Sequence, residues 1–127
     1  ALRDEGTSFH YLPPSRYIEI DRKMIGEIKD VFEKLDIPFE ECITWTTDGF
    51  FRETREMVQY RLSEGCSAVE MECAALAACS QKRGASFGQF FFTADSLASV
   101  TEHDERNWGI SSHSRALHLA LNLICNI

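Results

Sequence analysis

The sequence predicts an α/β fold, a layered sheet with flanking helices. Short β-branched or aromatic runs ("FEECITWTT", "SAVEM", "ASFGQFFFT") alternate with segments of helical period. Turn signals separate them: Pro13-Pro14, Pro38, Asp48-Gly49 and Gly65. The run Ala85 to Thr93 is too continuously apolar for a strand with one wet face, and reads as a central strand covered on both faces. At 127 residues, 44% of them apolar, the chain is about one domain, 1–127, able to bury roughly two thirds of the surface its unfolded form exposes.

Each element follows from local chemistry. "ALRDEGTSFHY" reads as a strand leaving a sheet for a loop, and Pro13-Pro14 keeps that loop extended. Arg22 to Leu35 is a helix: Asp21 is placed to cap it, and Met24, Ile25, Ile28, Val31, Phe32 and Leu35 recur at three and four residues. Phe39 to Thr47 is a strand by composition, with Asp48-Gly49 as the turn after it. Glu53 to Ser63 is a polar helix with Met57, Val58 and Leu62 on one side, closed by Gly65. "SAVEM" is a short strand. Glu72 to Lys82 is an Ala-rich helix, apolar over most of its circumference and expected to be buried on several sides. "ADSLASVTEHDERNWG" is a loop by composition, and Ser114 to Ile127 closes the chain as an amphipathic helix.

Composition narrows the function. Twenty acidic against thirteen basic residues give a net charge of −7, with no cationic cluster to follow a phosphate backbone, which argues against nucleic-acid binding. No apolar run reaches the roughly 18 to 20 residues that span a bilayer, and the start of the chain lacks a signal-peptide layout; a cytoplasmic protein with no membrane partner is expected. Five cysteines without a C-x-x-C pair indicate neither a disulfide framework nor a zinc ribbon, and the four histidines show no ligand spacing, so no metal is expected. Neither a G-x-G-x-x-G nor a Walker loop occurs.

The notable pattern is "SAVEMECAALAA", which places Glu70 and Glu72 around Met71 in the most apolar part of the chain. An unpaired buried charge costs several kcal/mol, comparable with a domain's whole stability, so these carboxylates either face solvent or bind something. In α/β sheets ligands lie beyond the carboxyl ends of strands. That rule selects Thr46 to Phe51, Val69 to Glu72 and Thr93 to Ser96, and each carries an acid: Asp48, Glu70 with Glu72, and Asp95. Taken singly, each reads as a helix cap or a solvated loop carboxylate. Together at one edge they suit a vicinal diol, because a carboxylate accepts two hydrogen bonds at once, while a second, partly desolvated carboxyl could donate a proton to a leaving group. Phe50 and Phe51 offer flat faces to a planar base, or else pack in the core.

"AVEMECAAL" resembles the ribose-binding segment of the nucleoside phosphorylase family, which includes hexameric purine nucleoside phosphorylase, uridine phosphorylase and the methylthioadenosine/S-adenosylhomocysteine nucleosidases. "LRDEGTSFHYLPP", "TTDGFFRETRE" and "FTADSLAS" support the resemblance in family order, over nearly the whole chain. It implies that Glu72 holds the ribose hydroxyls, that Met71 packs against the sugar, and that Glu70 and Val69 line the same pocket. Phe50 matches the aromatic residue beside the base. Asp95 matches the acid that protonates or hydrogen-bonds a purine at N7, assisted by a basic residue at Arg106 or, alternatively, Arg115. The implied reaction cleaves an N-glycosidic bond, with phosphate as co-substrate in phosphorylases and water in nucleosidases, and no other cofactor.

Two departures from the family qualify this. The family's glycine-rich phosphate loop and phosphate-binding arginine lie upstream of the segment resembling "LRDEGTSFHY"; here Arg3 and His10 are the only basic groups near that point, and neither matches those ligands. The chain is therefore expected to be the C-terminal part of the fold, weakly active or inactive alone, with exposed sheet edges that favour a homo-oligomer. Uridine phosphorylases read uracil with a glutamine and an arginine just after the aromatic pair, where this chain has Thr54 and Glu56. With Asp95 present this favours a purine nucleoside, although Arg52 or Arg55 could serve a pyrimidine. A nucleosidase and a non-catalytic protein on the same scaffold are the alternatives.

Overall fold

The computed structural model describes residues 1–92 and 110–127, with side chains of the last helix from residue 112 onward. Three parallel strands, β1 (Leu2–Asp4), β2 (Ile43–Thr47) and β3 (Cys66–Glu70), form a sheet in the order β1-β2-β3. Parallel neighbours need crossovers, and helices supply them: α1 (Arg22–Lys34) between β1 and β2, and α2 (Arg55–Ser63) between β2 and β3. After β3 come α3 (Cys73–Arg83) and, at the end of the chain, α4 (Ile110–Asn126). This is an α/β fold built on a small parallel sheet.

The helix ends follow the capping chemistry legible in the chain. The Asp21 carboxylate accepts from the backbone N–H groups of Lys23 and Met24 and starts α1. Thr54 caps α2 through the N–H of Met57. Gly84, at φ 66°, ends α3 in the left-handed conformation that glycine adopts at least cost. α1 turns Ile28, Val31 and Phe32 inward, as its period predicts, but its partner is α4 through Leu123 rather than the sheet.

The sheet separates two environments. Leu2, Trp45 and Cys66 pack together on one face with Met57 and Val58 of α2. On the other face Thr46, fully buried, meets the start of α3, whose Ala74, Ala77 and Ala78 pack on Ile18. The outer edge of β1 is covered by the following loop: the Arg3 N–H donates to the Arg16 carbonyl at 3.0 Å and the Ile18 N–H to the Ala1 carbonyl at 2.9 Å. Among the described residues β3 has no strand on its outer side.

Three expectations fail. Ala85 to Phe92, the described part of the predicted central strand, is not a strand; it runs against α1, where the Phe90 ring meets Phe32 edge-on at 5.7 Å. A continuous apolar run signals burial without saying whether a sheet or a helix provides the cover. The second concerns α3, expected to be buried on several sides: Cys73, Ala74, Ala77 and Ala78 are buried, but Leu76 is 48% exposed. Strand β2 is also shorter than predicted, beginning at Ile43, because Phe39 turns away to stack edge-on against Phe32 at 5.6 Å.

A buried ionic network joins β1 to the far end of α2. The Arg61 guanidinium, with its side chain 6% exposed, donates to Asp4 Oδ2 at 2.7 Å and to Glu64 Oε2 at 2.6 Å, while Trp45 Nε1 donates to the same Asp4 oxygen at 2.9 Å. Arg16 adds a two-pronged contact to Glu64 at 2.9 and 2.7 Å. Burial works against the Arg61 charge, yet the hydrogen bonds to Asp4 and Glu64 prevail and hold its pKa above the ordinary value. Glu64 is held below its ordinary 4.5, first by the Arg16 hydrogen bonds, against the opposing effect of burial, and then by Arg61.

A carboxylate with a depressed folded pKa stabilises the protein above its unfolded value, and that stabilisation is lost as the pH falls through the folded one. Urea unfolding midpoints should therefore fall as the pH drops below the ordinary carboxylate range, and Glu64→Gln should be less stable at neutral pH and lose less on acidification. Parallel acid profiles for the two proteins would count against this role. Asp4→Ala, which removes the acceptor shared by Arg61 Nη2 and Trp45 Nε1, should cost about 1–3 kcal/mol in the same measurement.

Candidate functional site

The carboxyl ends of β2 and β3 and the first turn of α3 meet at one edge, and Glu70 ties them together. The β2–β3 register sets Thr46 opposite Glu70. Glu70 Oε1 accepts from Thr46 Oγ1 at 2.6 Å and from Thr44 Oγ1 at 3.3 Å, while Oε2 accepts from the backbone N–H groups of Glu72 at 2.8 Å and Cys73 at 2.6 Å. Thr46 Oγ1 accepts in turn from the Ala74 N–H at 3.1 Å. Thus Glu70, not the N-cap residue itself, satisfies the first free donors of α3, where the helix dipole also favours a negative charge.

That division of labour explains the two glutamates. Glu72 occupies the N-cap position but makes no capping hydrogen bond, and it is exposed. Its neighbour Met71 is 41% exposed and Phe50, just past β2, is 68% exposed. Phe50 therefore does not pack in the core; its ring meets Phe51 edge-on at 5.9 Å and leaves both aromatic residues toward solvent. Asp48 lies between this turn and the end of β1, its Oδ2 accepting from the Gly6 N–H at 3.1 Å. The edge thus presents a carboxylate that makes no capping bond and has no partner among the described residues, a thioether and an aromatic pair, a set able to take a diol and a flat ring.

The remaining predicted residues divide. The Val69 side chain packs with the Leu2–Trp45–Cys66 cluster on the opposite face from Glu70, so only its backbone reaches the edge. Asp95 and Arg106 lie outside the described residues. Arg115 is exposed on α4, among residues lining a cavity that includes none of Phe50, Met71 or Glu72. Arg3 is fully engaged: its guanidinium donates to Ser8 Oγ, Ser15 Oγ and the Pro13 and Leu12 carbonyls at 2.7 to 3.3 Å. Among the described residues no group of three or more His, Cys, Asp or Glu side chains is arranged to hold a metal. Cys73 is no nucleophile, since burial pushes its thiol up to about 12.

Three residues have structural roles that their local sequence hardly marks. Thr44 and Thr46 looked like ordinary strand formers, and their one signal was period two: they alternate with Trp45, so a hydroxyl face lies back to back with an apolar one. Glu5 was read as part of a loop, yet it is 7% exposed and its Oε2 accepts from the Ser8 N–H at 2.9 Å, fixing the turn after β1.

The two glutamates should behave oppositely on substitution. Glu70→Ala removes a cap and the acceptor of the Thr46 hydroxyl, leaving Thr44 only the Ala68 carbonyl, and should cost about 2–4 kcal/mol in denaturant unfolding. Glu72→Ala should change stability by no more than about 0.5 kcal/mol. Equal losses would contradict the assignment of the capping role to Glu70.

A search of curated proteins finds no match to this chain. The family description "Phosphorylase superfamily", by contrast, matches residues 1–124. The match extends from β1 through α4 and takes in the whole Glu70–Glu72 edge. On that extent of agreement, together with the parallel α/β sheet, the chain belongs to the phosphorylase superfamily.

Proposed function

We propose that the β2–β3 edge binds the ribose and base of a nucleoside, a purine nucleoside in preference to a pyrimidine one. The observation that carries this reading is the exposed Glu72 carboxylate, which the capping by Glu70 leaves unused at a helix N-terminus. In this reading Glu72 accepts hydrogen bonds from the 2′- and 3′-hydroxyls, Met71 packs on the sugar, and Phe50 stands beside the base. Glu70 and the Val69 backbone form the pocket floor, with Glu70 acting as the strut that sets the position of Glu72.

The parent reaction is phosphorolysis of the N-glycosidic bond to free base and ribose 1-phosphate. As the bond to the base lengthens, the sugar gains oxocarbenium character, which anionic groups held at the edge stabilise. Asp95, assisted by Arg106, neutralises the departing base by protonating or hydrogen-bonding N7. The phosphate partner requires cationic ligands. Arg3 is committed to the loop after β1, which supports a chain that holds the nucleoside but turns it over weakly or not at all by itself.

Calorimetric titration of inosine and 2′,3′-dideoxyinosine tests the diol contact. Inosine should bind more tightly by about 1.5–3 kcal/mol, the worth of hydrogen bonds to a charged acceptor, and Glu72→Ala should erase that difference. Unchanged discrimination in the variant would discard the site. In a phosphate-containing assay the unmodified chain should release little or no hypoxanthine. Sustained phosphate-dependent release would instead place a working anion site within these 127 residues.

A further inference from the structure

Away from the strand edge, α1, the segment Ala85 to Phe92, α4 and the amino-terminal half of the sheet surround a cavity of about 530 Å³. Its size falls within the range of small-molecule sites, roughly 300–1,000 Å³. From the sheet it is lined by Thr44 and Ala68, and it includes none of Phe50, Met71 or Glu72. One wall is aromatic and well defined. Phe32 meets both Phe39 and Phe90 edge-on, at 5.6 and 5.7 Å, and all three rings line the space.

Gly88 fixes how closely the 85–92 segment approaches this wall. A Cβ there would stand 2.7 Å from Ile28 Cδ1 and 3.2 Å from Met24 Cβ, so any larger residue would require the Ile28 side chain to move aside and α1 to give slightly. The next residue, Gln89, lines the cavity, and its Oε1 is buried with no hydrogen-bond partner among the described residues. A buried carbonyl oxygen is costly unless a donor reaches it. Charge around the cavity is balanced: Lys29 and Arg115 stand against Glu40 and Glu41, and the Lys29 ammonium is already 3.2 Å from Glu41. The space therefore favours a neutral occupant with an aromatic body and one donor.

We propose that this cavity binds a small, neutral, planar aromatic molecule that carries an N–H or O–H group, its ring against the Phe32–Phe39–Phe90 wall and its donor bonded to Gln89 Oε1. The cavity meets the nucleoside edge at Thr44 and Cys73, which both bond Glu70, but it includes none of the Phe50, Met71 and Glu72 side chains, and the proposal does not depend on the nucleoside reading. Indole and 1-methylindole are suitable probes, because the methyl group removes the donor and keeps the ring. Each is titrated into the full chain and followed by two-dimensional ¹⁵N NMR. Indole should give saturable shifts at cavity residues and bind at least about ten-fold more tightly than 1-methylindole, which leaves Gln89 unpaired. Gln89→Leu should make the two ligands equal, and Ala116→Trp, which fills the space from α4, should abolish both. Absence of saturable indole shifts, equal affinities in the unmodified chain, or shifts confined to the Phe50–Glu72 edge would each overturn the assignment.

Discussion

Everything at the candidate edge depends on one carboxylate. Glu70 ends a strand, yet its two oxygens serve different elements: one is bonded to threonine hydroxyls of the neighbouring strand, the other to the backbone of the following helix. A charged acceptor in a partly buried position is tolerable only when fully bonded, and here the donors come from β2 and α3 together. The angle at which α3 leaves the sheet is fixed by the same bonds. The position of Glu72 is fixed with it, one residue before the first turn of the helix.

The opposite face of the sheet solves a similar problem by other means. Arg61 is buried beside Trp45, its guanidinium carbon 5.4 Å from the ring centroid, and two carboxylates neutralise it. Arg16 extends the network into the loop that covers the outer edge of β1. A three-stranded sheet is thereby secured on one face by an ionic network and on the other by a helix cap. The aromatic pair at Phe50–Phe51 makes no comparable structural contribution, being solvent-facing.

Much of this was legible in the order of residues. Asp21 announced the start of α1, and the Ala-rich helix expected over Glu72 to Lys82 forms at Cys73–Arg83, shifted by one residue. "AVEMECAAL" carried the resemblance to the family to which the chain belongs. Other features were not legible because they depend on contacts between distant segments. The Arg61–Asp4 pair spans 57 positions, and no local spacing marks it. Ala85 to Phe92 has the composition of a buried strand, but its cover is α1, and hydrophobicity alone does not name the covering surface.

The sequence by itself determined the α/β class, the Asp21 cap of α1 and the pairing of two glutamates with a methionine at a strand end, because these rest on interactions within a few residues. Which glutamate is structural and which is available was decided only in three dimensions. Two carboxylates two positions apart are chemically alike in the chain. The β2–β3 register brings Thr44 and Thr46 to Glu70, and α3 turns its first N–H groups toward the same oxygens, so Glu70 is consumed and Glu72 is left facing outward.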